Sequence, residues 1–391
     1  FMMTPGGIGP GGTFDGNVWH AINNHLWSPM NLHRIVANVA YGGSIVGAYA
    51  AYKFLGASSS EERAHYDWMG YTASVISVGA LLPLPFAGYW LTAEIYSYSQ
   101  QMGISLMGGG FGSLFIIQAV VIGALFLAAN YYLWCAIQRT EVGRRYAPYV
   151  KYIGAALALC FMVWSTPHTP YMTGLEVKAV GGRFHPLIAP LGLMPAKNIA
   201  VNVMIIATFL SFLLYRRSNY PPGVFDGELM ALKRGRASAI QGAIITAGLL
   251  NIIGLGIYYG YFTNTVYKVA SSVSQVLTTL IVIIACLVVE KIFYKIEQGA
   301  AQTMPERGAM PEAGQYALIL IAVSFTWLMG LMGFVRAAIR GNWHVYSVLK
   351  DASNDAFTPA IAYASRVTSV GTVIFMAFIA FIFYLSKKRK I

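Results

Sequence analysis

The chain has 391 residues, of which 57% are hydrophobic and 11% charged, with a mean hydropathy of +0.56. Ordinary soluble domains carry about 25% charged residues, so this composition excludes a soluble globular protein and reads as an all-α integral membrane protein. The formal net charge of +12 does not point to nucleic acid, because the Lys and Arg residues fall in loops between apolar runs, where membrane topology places them.

Nine transmembrane helices can be drawn, at about 34–55, 70–92, 112–136, 150–167, 198–215, 238–261, 270–293, 315–337 and 368–386. Residues 1–31 read as an outer-side N-terminal segment and 32–391 as a single polytopic membrane domain. Residues 1–31 are Gly-rich and polar, without the basic stretch and apolar run of a secretory signal. With the terminal Lys387-Lys388-Arg389-Lys390 in the cytoplasm, eighteen of the 27 basic residues fall on the inner side and eight on the outer side. That bias predicts an N-terminus outside and a cytoplasmic C-terminus.

The same topology places His20, His25, His33, His168, His185 and His344 outside and only His65 inside. Histidine is a frequent metal and haem ligand, although a single interfacial histidine is ordinarily just hydrogen-bonded. His33 opens the first span, one turn before Ala37. His168 closes the fourth, where Pro167 and Pro170 stop the helix. His344 lies between the last two spans, so these three share a predicted membrane depth.

The second span contains Pro83 and Pro85, which predicts a kink or break. Glu94, Tyr96 and Gln100 follow. A carboxylate among tyrosines and glutamines at the membrane edge suits proton transfer or a quinol hydroxyl, and it also suits a plain interfacial acid above an aromatic belt. Gly108-Gly109-Gly110 reads as a turn; without a following Lys-Ser/Thr it is not a phosphate loop. Cys135, Cys160 and Cys286 lie in apolar runs, and no Cys-x-x-Cys-His occurs, so no covalent haem c is expected in this chain. Arg216-Arg217 and Lys233-Arg234-Gly235-Arg236 read as topogenic loop residues that can also touch anionic lipid. Glu290-Lys291, at the inner end of the seventh span, reads as a snorkelling pair.

Residues 333–359 gather Arg340, Trp343, His344, Tyr346 and Lys350 into one outer loop. Such a cluster is costly beside lipid and points to a cofactor, head group or partner. Here the chain resembles subunit I of the cytochrome bd quinol oxidase family, which has a Gly-Arg-Gln-Pro-Trp motif between its last two helices. The matching residues are Ile339-Arg340-Gly341-Asn342-Trp343. A second similarity runs from Ser28-Pro29 through His33 to Ala37, like the family's Asn-Pro segment before a haem-bearing helix. By that alignment the family's ligating histidine falls on Ala37, its ligand carboxylate on Gly330 and a second Glu on Ala337. The family's first four helices have no counterpart.

The resemblance implies a diverged membrane subunit of a respiratory electron-transfer complex in a bacterial inner (cytoplasmic) membrane. It would pass electrons between the quinone pool and an outer-side redox partner without reducing oxygen by itself. Glu94, Tyr96 and Gln100 are the candidate quinol residues. His33, His168 and His344 are the candidate haem b or metal ligands, with Trp343 beside them and Arg340 paired to a haem propionate or quinol oxygen. The partners implied are other subunits of the complex, including a periplasmic or membrane cytochrome, together with the lipid bilayer. Two alternatives are a cofactor-free anchor that docks a periplasmic cytochrome or molybdenum enzyme, and a transporter. Few intramembrane charges count against the transporter.

Overall fold

A computed structural model describes residues 1–107, 112–140, 142–165, 188, 191, 193–219, 228–263, 265–293 and 306–357, with scattered positions from 359 to 381. The chain forms two compact units. One is His25–Ile339; the other combines Phe1–Asn24 with Arg340–Ile391.

The described residues of the larger unit are mostly helical. In chain order its helices are α2 (Trp27–Leu55), α3 (Ser60–Leu81), α4 (Leu84–Tyr98), α5 (Gln100–Met107), α6 (Gly112–Gln138), α7 (Ala147–Ser165), α8 (Leu193–Ser218), α9 (Glu228–Phe262), α10 (Thr265–Phe293) and α11 (Glu312–Ala338). The short α1 (Val18–Ile22) belongs to the other unit. Among the described residues, seven helices are long and apolar enough to cross a membrane, so the protein is an all-α, multi-pass membrane protein. They correspond to the second through eighth drawn spans.

The helix carrying the first drawn span, α2, is long enough at 29 residues but is not among the seven. Its composition explains this. Tyr41, Gly42, Gly43, Ser44, Tyr49 and Tyr52 dilute its apolarity, and the small residues serve packing. A Cβ on Gly43 would lie 2.9 Å from the Ser77 backbone nitrogen and 3.0 Å from the Ala73 carbonyl oxygen, so α2 and α3 touch backbone to backbone. The Ser77 hydroxyl donates to the Ala40 carbonyl at 2.7 Å across the same seam. The ninth drawn span falls largely outside the described residues, as does the Gly108-Gly109-Gly110 turn.

The predicted break at the prolines is present. Helix α3 ends at Leu81 and α4 starts at Leu84, with Pro83 as its N-cap. Proline has no backbone N–H and crowds the preceding turn. At its other end α3 opens with a capping box: the Ser59 hydroxyl accepts from Glu62 N at 3.1 Å, and Glu62 accepts from Ser58 N at 3.2 Å.

Two apolar cores share helix α6. Leu125, Tyr132 and Leu133 pack with Ala40, Phe54, Leu318 and Phe325 from α2 and α11. Phe126 packs with Leu157, Ile205, Phe209, Val282 and Ile283 from α7, α8 and α10. Because α6 feeds both cores, it and α8 are the most enclosed of the seven apolar helices. Cys135 and Cys286 are buried free thiols, and Cys160 is a half-buried one.

Candidate functional site

Helix α4 packs on both α2 and α10, which sets its last turn beside the start of α2. The Glu94 carboxylate is gripped from two sides there. One oxygen, Oε2, lies 2.9 Å from His25 Nε2, and the other, Oε1, accepts the Trp90 indole N–H at 3.1 Å. Trp90 and Glu94 meet because residues four apart share a helix face. His25 Nε2 is also 2.9 Å from the Ser97 hydroxyl, and its ring is 5.7 Å from that of Tyr98. Glu94 and His25 keep 31% and 39% of their side-chain surface exposed. The pair is therefore held yet reachable, and a carboxylate beside an imidazole can accept a proton and relay it.

Tyr96 and Gln100 follow Glu94 closely in the chain. Helix α4 ends at Ser99, whose backbone is extended and whose hydroxyl accepts from Met102 N at 3.3 Å to start α5. The Tyr96 ring lies directly over Gly103, where a Cβ would come within 2.4 Å of it. Only glycine lets the ring rest on the α5 backbone. Gln100 is exposed on the first turn of α5.

His33 sits nearly two turns into α2, half-buried, and its ring carbon Cδ2 would lie 3.6 Å from a Cβ on Gly88 of α4. Ala37, one turn on, is buried. Gly330 has open space around it. His168 lies outside the described residues.

In the other unit, residues 343–350 form a two-stranded antiparallel hairpin, β1 (Trp343–Val345) with β2 (Leu349–Lys350), rather than an irregular loop. Ser347 sits at φ 62, the left-handed conformation that a tight hairpin turn demands. Arg340 Nη1 donates to the His344 carbonyl at 2.7 Å, and His344 Nδ1 faces Asp351 Oδ1 at 3.4 Å. Lys350 Nζ lies 5.7 Å above the Trp343 ring. The Arg340 contact ties down its own hairpin. The N-terminal segment is tied in by Tyr346 N, which donates to the Met2 carbonyl at 3.0 Å. Within that segment the His20 Nδ1–Asp15 Oδ2 pair is 2.6 Å apart.

An axial haem ligand needs a free ring nitrogen, and a metal site needs several donors together. His25 and His344 each face a carboxylate, α4 closes one side of the His33 ring, and Ala37 and Gly330 carry no donor atom. Among the described residues no three metal-ligating side chains gather.

The structure also contains polar clusters that the sequence reading missed. Glu290 is fully buried and pairs with Arg217 of α8, not with Lys291, which is exposed. The snorkelling assignment is therefore corrected: Glu290 points into the bundle, and Arg217 is a structural residue rather than a loop cation. Gln241 of α9 completes the cluster, accepting from Arg217 at 2.7 Å and donating to Glu290 at 3.0 Å. Nearer the start of α8, Asn198, Asn202, Ser272, Gln275 and Thr279 form a second buried polar cluster between α8 and α10. There Thr279 donates to Asn202 Oδ1 at 2.6 Å. Ile205, Phe209, Val282 and Ile283 separate the two clusters with an apolar layer. The signal for both was present in the sequence as Asn, Gln, Ser and Thr recurring inside apolar runs, but their facing could not be read.

No family model, curated protein or solved structure matches this chain.

Proposed function

We propose that the chain is a membrane subunit of a bacterial inner-membrane respiratory complex, and that it oxidises quinol at the Glu94–His25 pair. The reading keeps the N-terminus and this pair on the outer side. The observation that carries it is the shared grip on Glu94, with Trp90 on one oxygen and His25 on the other. A quinol becoming a quinone releases two protons and two electrons. Glu94 takes one hydroxyl proton and hands it to His25, which is exposed enough to release it to water; the second proton leaves with solvent. The electrons pass singly to a haem or other one-electron acceptor carried by a partner subunit. Tyr96, which rests on Gly103, and Gln100 are the further residues proposed to contact the quinol ring.

The test is quinol oxidation by the purified complex. Glu94→Gln removes the proton acceptor while keeping the Trp90 contact, and a loss of about 100-fold is expected. His25→Ala should shift the pH dependence as well as the rate. Wild-type rates in both variants would refute the site.

A second reading is the cofactor-free anchor that docks a periplasmic cytochrome or molybdenum enzyme. Supporting it, the unit built from the N-terminal segment and the hairpin exposes Trp19 at 69% and Val18 at 60%, and exposed aromatics are typical of partner sites. Loss of a haem-bearing partner on purification of Trp19→Glu, with quinol oxidation absent from the wild-type complex, would favour it. The apolar layer between the two α8–α10 clusters weighs against a transporter.

A further inference from the structure

Asp67 of α3, buried, is bound by the Arg139 guanidinium at the end of α6 and by the Gly308 backbone N–H at 2.9 Å. Arg139 is itself 4% exposed, and its Nη1 also reaches the Glu306 carbonyl at 3.5 Å. Residues 306–308 thus wrap over the pair, and Gly308 adopts φ +89, a conformation that suits glycine. Arg307 lies 5.3 Å over the Tyr71 ring, which in turn is 5.4 Å from the Tyr215 ring. Tyr132 is close enough to interact electrostatically with both Asp67 and Arg139, and Tyr215 with both arginines.

Several buried polar atoms of this cluster are unpaired. Among the described residues, buried Arg139 Nε and Nη2, Arg307 Nη1, Tyr132 Oη and Asp67 Oδ1 have no hydrogen-bond partner. Buried polar atoms are nearly always paired. The open positions on Arg139 are one whole edge of its guanidinium, the edge that binds a carboxylate or phosphate in two-point fashion. Two arginines against one aspartate leave a local excess of positive charge. Asp67 Oδ1 calls for a donor, and a hydrogen phosphate carries both anionic oxygens and one hydroxyl.

We propose that this cluster binds a hydrogen phosphate group, as free inorganic phosphate or as the head group of a phosphomonoester lipid. Its anionic oxygens accept from Arg139, Arg307 and Tyr132, and its P–OH donates to Asp67. The basic-residue count assigns this end of α3 and α6 to the cytoplasm, where both sources are present. The site is independent of the quinol reading and lies on different helices.

The test uses the full chain purified into phosphatidylcholine nanodiscs and titrated with inorganic phosphate by calorimetry, with sulfate as the comparison. Sulfate lacks the hydroxyl at neutral pH, so it should bind more weakly. In parallel, native mass spectrometry of protein in nanodiscs containing phosphatidic acid and phosphatidylglycerol reports lipid retention. Retention of phosphatidic acid over phosphatidylglycerol identifies a lipid source, and phosphate binding without it identifies a free one. Arg307→Gln and Tyr132→Phe each remove one donor and should weaken binding about tenfold, the size of one charge-assisted hydrogen bond. Arg139→Lys keeps the contact to Asp67 and loses the two-point edge; if it does not fold, the other two variants carry the test. Failure of the wild-type protein to bind either probe, or unchanged binding in Arg307→Gln and Tyr132→Phe, overturns the proposal.

Discussion

Arg217 and Glu290 meet in a two-point ion pair between α8 and α10, with Nη2 2.8 Å from Oε2 and Nε 3.2 Å from Oε1. Glu290 has no exposed side-chain surface and Arg217 only 13%. Gln241 bridges the pair to α9, donating also to the Cys286 carbonyl at 3.0 Å. Three helices are therefore joined at one level by charge and hydrogen bonds, inside an otherwise apolar bundle.

Removing one member of that pair should destabilise the protein strongly. Glu290→Leu leaves a buried guanidinium without its carboxylate, at a cost of about 3–5 kcal/mol. The double variant Arg217→Met with Glu290→Leu should recover most of the loss, since no buried charge remains. Thermal unfolding of purified protein in nanodiscs checks both; equal losses in the single and double variants would contradict the argument.

The seam between α2 and α3 should be intolerant of bulk at Gly43. A leucine there has to push apart two backbones already in contact through Ser77 and Ala73, and overpacking of this kind costs about 1–3 kcal/mol. The Ser77–Ala40 hydrogen bond should be lost with it. A lower unfolding temperature for Gly43→Leu, with Gly42→Leu near wild type because no atom lies within 4 Å of a Cβ there, is the expected outcome. Similar behaviour of the two would count against the close approach.

The N-terminal segment should loosen in acid. The His20 hydrogen bond, and after it the Asn17 backbone N–H, hold the exposed Asp15 carboxyl below the usual carboxylate range. A carboxyl depressed in the folded state stabilises it above the unfolded value, about 3.9, and that support is lost as pH falls through the folded value. Hydrogen exchange of residues 13–20 should therefore rise below about pH 4 in the wild type. Asp15→Asn should show fast exchange already at pH 7; a pH-independent wild-type profile would refute the linkage.

Much of the scaffold was legible from sequence. Apolar run length is a local property, and it placed seven spans on α3–α4, α6, α7, α8, α9, α10 and α11, although α3 and α9 start well before the drawn spans, at Ser60 and Glu228. The break at Pro83 was legible for the same reason, since a missing N–H acts on its own turn. Glu94 stood out as a carboxylate at a membrane edge, but its partners did not. Trp90 is one turn away, whereas His25 precedes a different helix. The hairpin at Trp343–Val345 and Leu349–Lys350 was hidden because so short a ladder has no periodicity of its own.

The amino-acid sequence by itself determined that this is a helical membrane protein and where its helices run, because lipid requires every backbone polar group to be satisfied within its own segment. Only the tertiary structure decided which polar side chains meet. Glu290 stands beside Lys291 in the chain yet binds Arg217, 73 positions away; Asp67 binds the backbone N–H of Gly308, 241 positions away. Such pairs follow from helix packing, where a rotation of one residue exchanges a lipid-facing side chain for a buried one.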